Sequence, residues 1–151
     1  GPEQVAMRCP GGRGANGFAR YDVMLSYGEL DRRSDAIAAG LAAHGIGRGH
    51  RVVVMVRPSP EFFLLMFALF KAGAVPVLVD PGIDKRALRQ CLDEADPEAF
   101  IGIPLAVFAR KLLGWARRAR VVVTAGRRWF WGGPTLAAIE AAGAGAGPQL
   151  A

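Results

Sequence analysis

Residues 69–82 read LFKAGAVPVLVDPG. An apolar, helix-favouring run ends at Gly73, β-rich residues follow from Ala74 to Val79, and Asp80-Pro81-Gly82 stops them. Glycine closes a helix readily because it adopts the left-handed conformation without a steric cost, and Asp-Pro-Gly is turn chemistry. The stretch therefore predicts a helix that hands its chain directly to a strand, with small residues at Ala72 and Gly73 letting helix and sheet approach closely. Upstream, VVVMV at 52–56 is continuously apolar with no polar alternation, as a parallel strand covered on both faces requires. Ser59-Pro60-Glu61 opens the intervening helix with a side-chain cap, a proline at the first helical position and an early acid.

The same alternation extends in both directions. Asp84 caps a third helix whose Ala87, Leu88, Cys91, Leu92 and Ala95 form an apolar stripe, and Pro97 marks its end. A strand AFIGI at 99–103, a helix from Pro104 to about Trp115, a strand VVVTAG at 121–126 and a helix from Thr135 to Ala142 complete the series. On the N-terminal side, Ser26 and Glu29 form a capping-box pattern before a helix with Leu30, Ile37 and Leu41 on one face, and Gly45 ends it. Two β-like runs, 4–9 and 18–25, flank PGGRGANG and predict an antiparallel hairpin. Strands alternating with helices across short connections imply an α/β fold, a mostly parallel sheet of right-handed βαβ units with the N-terminal hairpin attached.

At 151 residues and 52% hydrophobic content, the chain suffices for one domain with a core. We place that domain at 1–142 and read GAGAGPQLA, 143–151, as a linker toward further chain. Cys9 and Cys91 lie far apart with no CxxC spacing, so two reduced core thiols are expected rather than a zinc site or disulfide framework. The start, GPEQVAMRC, lacks a basic stretch followed by an apolar one, which makes a cytoplasmic location the expectation. FFLLMFALF at 62–70, bracketed by Glu61 and Lys71, is far shorter than the ~20 residues of a membrane span. It is apolar all round, however, so its outer side needs a cover, either a second layer of protein or lipid.

The charge is unevenly placed. Of 19 basic and 13 acidic residues, seven basic ones (Arg110, Lys111, Arg117, Arg118, Arg120, Arg127 and Arg128) lie between Leu105 and Ile139, a segment with no acid. RRWFWGG, 127–133, sets Trp129, Phe130 and Trp131 beside two of them. A positive aromatic edge suits a protein partner or a membrane surface contacted through 110–131, and nucleic acid less well.

LSYGELDRRSDAIAAGL, 25–41, resembles the first core motif of the adenylate-forming (AMP-binding) superfamily of acyl-CoA synthetases, luciferases and peptide-synthetase adenylation domains. LFKAGAVPVLVDP, preceded by RPSPEFF, is similar to its second, in the same order and at about the same separation. The run from Val56 to Pro104 looks most like the bacterial olefin β-lactone synthetases. The resemblance implies half of a larger layered α/β N-terminal domain in an enzyme that uses ATP and Mg2+ to adenylate a carboxylate with release of pyrophosphate. The implied acid is a long-chain 2-alkyl-3-hydroxy acid whose own hydroxyl then expels AMP, and other enzymes of olefin biosynthesis are implied partners. A long-chain fatty acid CoA ligase would share the first step, and a noncatalytic partner-binding module would keep only the scaffold.

No catalytic or metal-binding residue carries over from that family to this chain. Its Ser/Thr/Gly-rich phosphate loop has no counterpart here, since GGRGANG, 11–17, lacks a following Lys-Ser or Lys-Thr and is not placed between a buried strand and a helix. His44 and His50 flank a turn without a serine or cysteine partner, and Glu29 belongs to a helix cap. Asp80 stands at the carboxyl end of an expected parallel strand, where such sheets bind ligands, but within an ordinary turn sequence.

Overall fold

The computed structural model describes residues 7–9, 27–79 and 84–145. Along the chain run β1 (Met7–Cys9), α1 (Tyr27–Ala43), β2 (Arg51–Met55), α2 (Pro60–Ala72), β3 (Val75–Val79), α3 (Lys85–Ala95), β4 (Ala99–Gly102), α4 (Pro104–Leu113), β5 (Val121–Thr124) and α5 (Leu136–Ala144). The strands form one sheet in the order β1-β3-β2-β4-β5. Every pairing is parallel, with Val53 of β2 opposite Val77 of β3 and Phe100 of β4.

The alternation of side chains along each strand divides the core in two. Val52 and Val54, with Ala99 and Ile101, join Ile37 and Leu41 of α1, Leu65 and Leu69 of α2 and Ile139 of α5 on one face. Val53 and Phe100 turn to the opposite face, against Leu88 and Leu92 of α3, Val107 of α4 and Trp115. This is why β2 carries no polar position between Val52 and Val54, all at most 3% exposed.

From Leu69 to Val79 the opening stretch folds as read, while Asp80-Pro81-Gly82 lies outside the described residues. Gly73 takes φ 78°, its N–H donates to the Phe70 carbonyl at 3.1 Å, and Ala74 N–H reaches the Leu69 carbonyl at 3.0 Å before β3 begins at Val75. A side chain at Gly73 would press on the Arg48 backbone, 3.2 Å away, so the position needs glycine for space as well as for conformation. Ser59 Oγ accepts from Phe62 N–H at 3.2 Å and Asp84 Oδ1 accepts from Ala87 N–H at 2.9 Å, confirming both caps.

Several details differ from the sequence reading. The run at 4–9 contributes Met7–Cys9, which pairs in parallel with β3; its expected hairpin partner at 18–25 lies outside the described residues, as does Ser26 of the capping box. Helix α4 stops at Leu113 because Gly114 turns left-handed, leaving Trp115 as a buried loop residue. Helix α5 carries Gly143 and Ala144 past residue 142. Cys91 is disulfide-bonded, which corrects the expectation of a reduced core thiol at that position.

The cover over α2 comes partly from within. Helix α1 packs on both α2 and α5, while Phe67 and Phe70 of α2 remain exposed. Lys71 Nζ binds Asp31 Oδ1 at 2.6 Å and Asp35 Oδ1 at 2.8 Å, joining α2 to α1, and Arg33 joins α1 to α5 through Glu140 at 2.7 Å. Burial opposes the Lys71 charge, but its bonds to Asp31 and Asp35 outweigh that and raise its pKa above the ordinary 10.5. A cation whose pKa is raised on folding contributes full stability below its unfolded value and loses it as pH climbs through the folded one. Lys71→Met should therefore lower the urea midpoint at pH 8 by an amount worth about 0.2–1 kcal/mol, with the gap from the parent closing above pH 10.5. An unchanged gap on the alkaline side would contradict this role.

Candidate functional site

In a parallel sheet ligands settle outside the carboxyl ends of the strands, where successive connections leave for opposite faces. Here that point lies between β2, which leads to α2 on one face, and β4, which leads to α4 on the other. Its rim is formed by Met55 to Ser59, Gly102 to Pro104 and Thr124 to Arg127. Pairing continues to the edge, with Ile103 N–H donating to the Met55 carbonyl at 3.1 Å and Ala125 N–H to the Gly102 carbonyl at 2.7 Å.

Helix N-termini at such an edge bind phosphate through free backbone N–H groups. Both α2 and α4 begin with proline, which has none, and in α2 the Phe62 and Phe63 amides are taken by the Ser59 side chain and carbonyl. Ser59 Oγ itself donates to the Arg57 carbonyl at 2.9 Å. Among the described residues no group of three or more His, Cys, Asp and Glu is placed to hold a metal ion. Asp80 lies outside the described residues.

The histidines serve the turn. His44 Nδ1–H donates to the Gly40 carbonyl at 3.0 Å, and His50 Nδ1 accepts from Gly47 N–H at 2.9 Å. Glu29 lies in the first turn of α1, and Ser26, its expected capping partner, lies outside the described residues.

The basic segment is more structural than its charge suggests. Arg120 donates to the Gly45 carbonyl at 2.6 Å and to that of His44 at 3.4 Å, tying the start of β5 to the end of α1. Arg110 donates to the Ala116 carbonyl at 3.2 Å and sits 5.9 Å from the centre of the Phe100 ring, and desolvation lowers its pKa. Arg128 donates to the Gly133 carbonyl at 2.7 Å, and Arg118 faces Asp96 at 3.7 Å. Lys111, Arg117 and Arg127 stay exposed.

Trp131, read from sequence as part of a partner-binding edge, is instead buried, because its indole N–H donates to Thr124 Oγ1 at 2.9 Å inside the core. Trp129 and Phe130 are exposed, and both rings contact Phe108 of α4, with centroids 5.6 and 6.0 Å away. The sequence reading missed Phe108, although Leu105, Phe108 and Leu112 fall at the i, i+3, i+7 spacing of a single helix face. Thr124→Val should leave the buried indole N–H unpaired at a cost of about 1–3 kcal/mol. Urea unfolding followed by tryptophan fluorescence measures it, and an unchanged midpoint would remove the bond from the account.

The sequence profile of the family described as AMP-binding enzyme matches residues 2–143. The chain belongs to the AMP-binding enzyme family. Among the relatives of this AMP-binding chain, an olefin beta-lactone synthetase of Xanthomonas campestris pv. campestris is 78% identical over 150 residues, spanning 99% of this chain and 27% of that protein. An olefin beta-lactone synthetase of Stenotrophomonas maltophilia is 74% identical over 151 residues, with the same two coverages. The A domain of a carboxylic acid reductase from Segniliparus rugosus, solved with AMP and a co-purified carboxylic acid, superimposes with a TM-score of 0.71 at 22% identity. That match covers 84% of this chain and 24% of the reductase chain and shows the shared fold. The AMP-binding chain thus spans about 27% of the length of the curated relatives it matches. No helix among the described residues is long and apolar enough to cross a membrane.

Proposed function

We propose that the protein carrying these residues is an ATP-dependent acyl-adenylating enzyme of the olefin β-lactone synthetase type. It acts on long-chain 2-alkyl-3-hydroxy acids with ATP and Mg2+, beside other enzymes of olefin biosynthesis. The observation that carries this reading is the 78% identity to such a synthetase over 99% of the chain, which far exceeds what a shared fold requires. In this reading residues 27–145 are a scaffold layer, and the groups that grip nucleotide and metal are supplied by further polypeptide. Phe67 and Phe70, exposed on the strongly apolar helix α2, support that division by calling for a further layer of protein over them.

The test uses the protein at its native length, supplied with ATP, Mg2+ and a 2-alkyl-3-hydroxy fatty acid. AMP, pyrophosphate and a β-lactone should form without coenzyme A. An acyl thioester formed only when coenzyme A is present would make it a fatty acid CoA ligase, and no AMP with any acid would leave a noncatalytic module. The 151 residues alone should release no pyrophosphate. They should also bind a hydrophobic dye, a signal that Phe67→Ser with Phe70→Ser reduces. Pyrophosphate release by the short chain would place catalytic groups within it and refute the division.

A further inference from the structure

Leu105 and Leu112 on α4 face outward, with Phe108, partly buried against the core, on the same side of the helix between them. Leu105 is 59% and Leu112 71% exposed, while Val107 on the opposite side of the helix is buried in the core. Trp129, 49% exposed, and Phe130, 69% exposed, extend the stripe onto the loop after β5 through their contacts with Phe108. The loop is held from below: Trp131 is buried, bonded to Thr124, and its ring lies 5.3 Å from Trp129 and 5.2 Å from Phe130. The result is a preformed apolar ridge built from two segments.

We infer that this ridge is a docking surface for an anionic phospholipid membrane. Three observations select that occupant. The ridge is bordered by cations, Lys111 on α4, Arg117 packed over the Gly114 end of that helix, and Arg127 beside the aromatic loop, and no acidic residue occurs from Leu105 to Ile139. The mixture is that of a membrane interface, where tryptophan, phenylalanine and leucine enter the headgroup boundary while lysine and arginine stems snorkel to the phosphates. Finally, α4 lies on the face of the sheet opposite α2, so a protein layer laid over Phe67 and Phe70 covers the other side of the molecule. The inference is independent of the acid the enzyme activates.

Cosedimentation of the native-length protein with phosphatidylcholine vesicles, with and without phosphatidylglycerol, tests it. Binding should appear on the anionic vesicles and weaken with salt, because exposed charges are screened beyond a Debye length of ~8 Å at physiological ionic strength. Lys111→Gln and Arg127→Gln should each weaken it about fivefold, the equivalent of ~1 kcal/mol per basic side chain at an anionic surface. Leu112→Glu with Phe130→Glu should abolish it while the circular dichroism spectrum and AMP formation persist, since both side chains already face solvent. Equal binding to both vesicle types, no binding to either, or variants that bind like the parent would overturn the proposal. It would equally fall if the parent self-associates without binding lipid and the Leu112→Glu, Phe130→Glu variant is monomeric, because the ridge would then be a protein interface.

Discussion

Gly143→Ala should destabilise the protein by about 3 kcal/mol, at the upper end of what overpacking a core costs. Helices α1 and α5 meet backbone to backbone: a Cβ at Gly143 would overlap the Ala36 carbonyl, and one at Gly40 would overlap the carbonyl of Ile139. Neither obstacle is a side chain that could rotate away, so the helices must separate and release Ile37, Leu41 and Ile139 from a fully buried cluster. Gly40→Ala should behave alike, and the double variant should cost less than the sum, because one separation relieves both overlaps. Gly28 supplies the control. A Cβ there meets nothing within 4 Å, and alanine should stabilise the first turn of α1 by about 0.4–1 kcal/mol. Thermal midpoints decide the matter: the Gly143 variant should fall by about 6–12 °C for a chain of this size and the Gly28 variant should rise. A Gly143→Ala midpoint equal to the parent's would mean that the two helices are not in backbone contact.

Phe100→Ala should cost still more, about 3–5 kcal/mol, the range for deleting a fully buried phenyl ring. Phe100 has no exposed surface and lies on the central part of the sheet against α3 and α4. Its ring also borders the Arg110 guanidinium, whose Nε is buried without a hydrogen-bond partner among the described residues. Removing the ring takes away a cation–π neighbour, so Arg110→Met in the same background should recover part of the loss. Urea unfolding of the single and double variants measures both effects. Strict additivity of Phe100→Ala and Arg110→Met would show that ring and guanidinium do not interact.

The elements were legible wherever the signal is local. Val52 to Val54 could only be a strand covered on both sides, and Ser59, Asp84 and Gly73 announced helix ends through chemistry that needs no distant partner. What escaped depends on where remote residues come to rest. Nothing near Arg120 shows that its guanidinium closes on the carbonyls of His44 and Gly45, more than seventy residues earlier. Trp131 and Phe130 are adjacent aromatics of similar character, yet one is buried because Thr124 offers its indole an acceptor and the other is not. Met7–Cys9 is too short to declare its neighbour, and the choice of β3 follows from the sheet edge left open once β2, β3 and β4 have paired. Of the sheet's carboxyl edge, the sequence indicated the position, and the prolines that remove one amide from the start of each of α2 and α4 were visible but unread in that sense.

The close fit of α1 and α5 also sets an order of events during synthesis. Gly40 and Gly143 are about a hundred residues apart, so on the ribosome the small-residue face of α1 emerges long before its partner exists. At roughly 5–20 residues per second that interval lasts ~5–20 s, much longer than a helix takes to form. Helix α1 must wait, with Ile37 and Leu41 without their final covering, until the last element of the described chain arrives. The nascent chain is most open to chaperones or to misassembly in that interval, and arrival of α5 closes it.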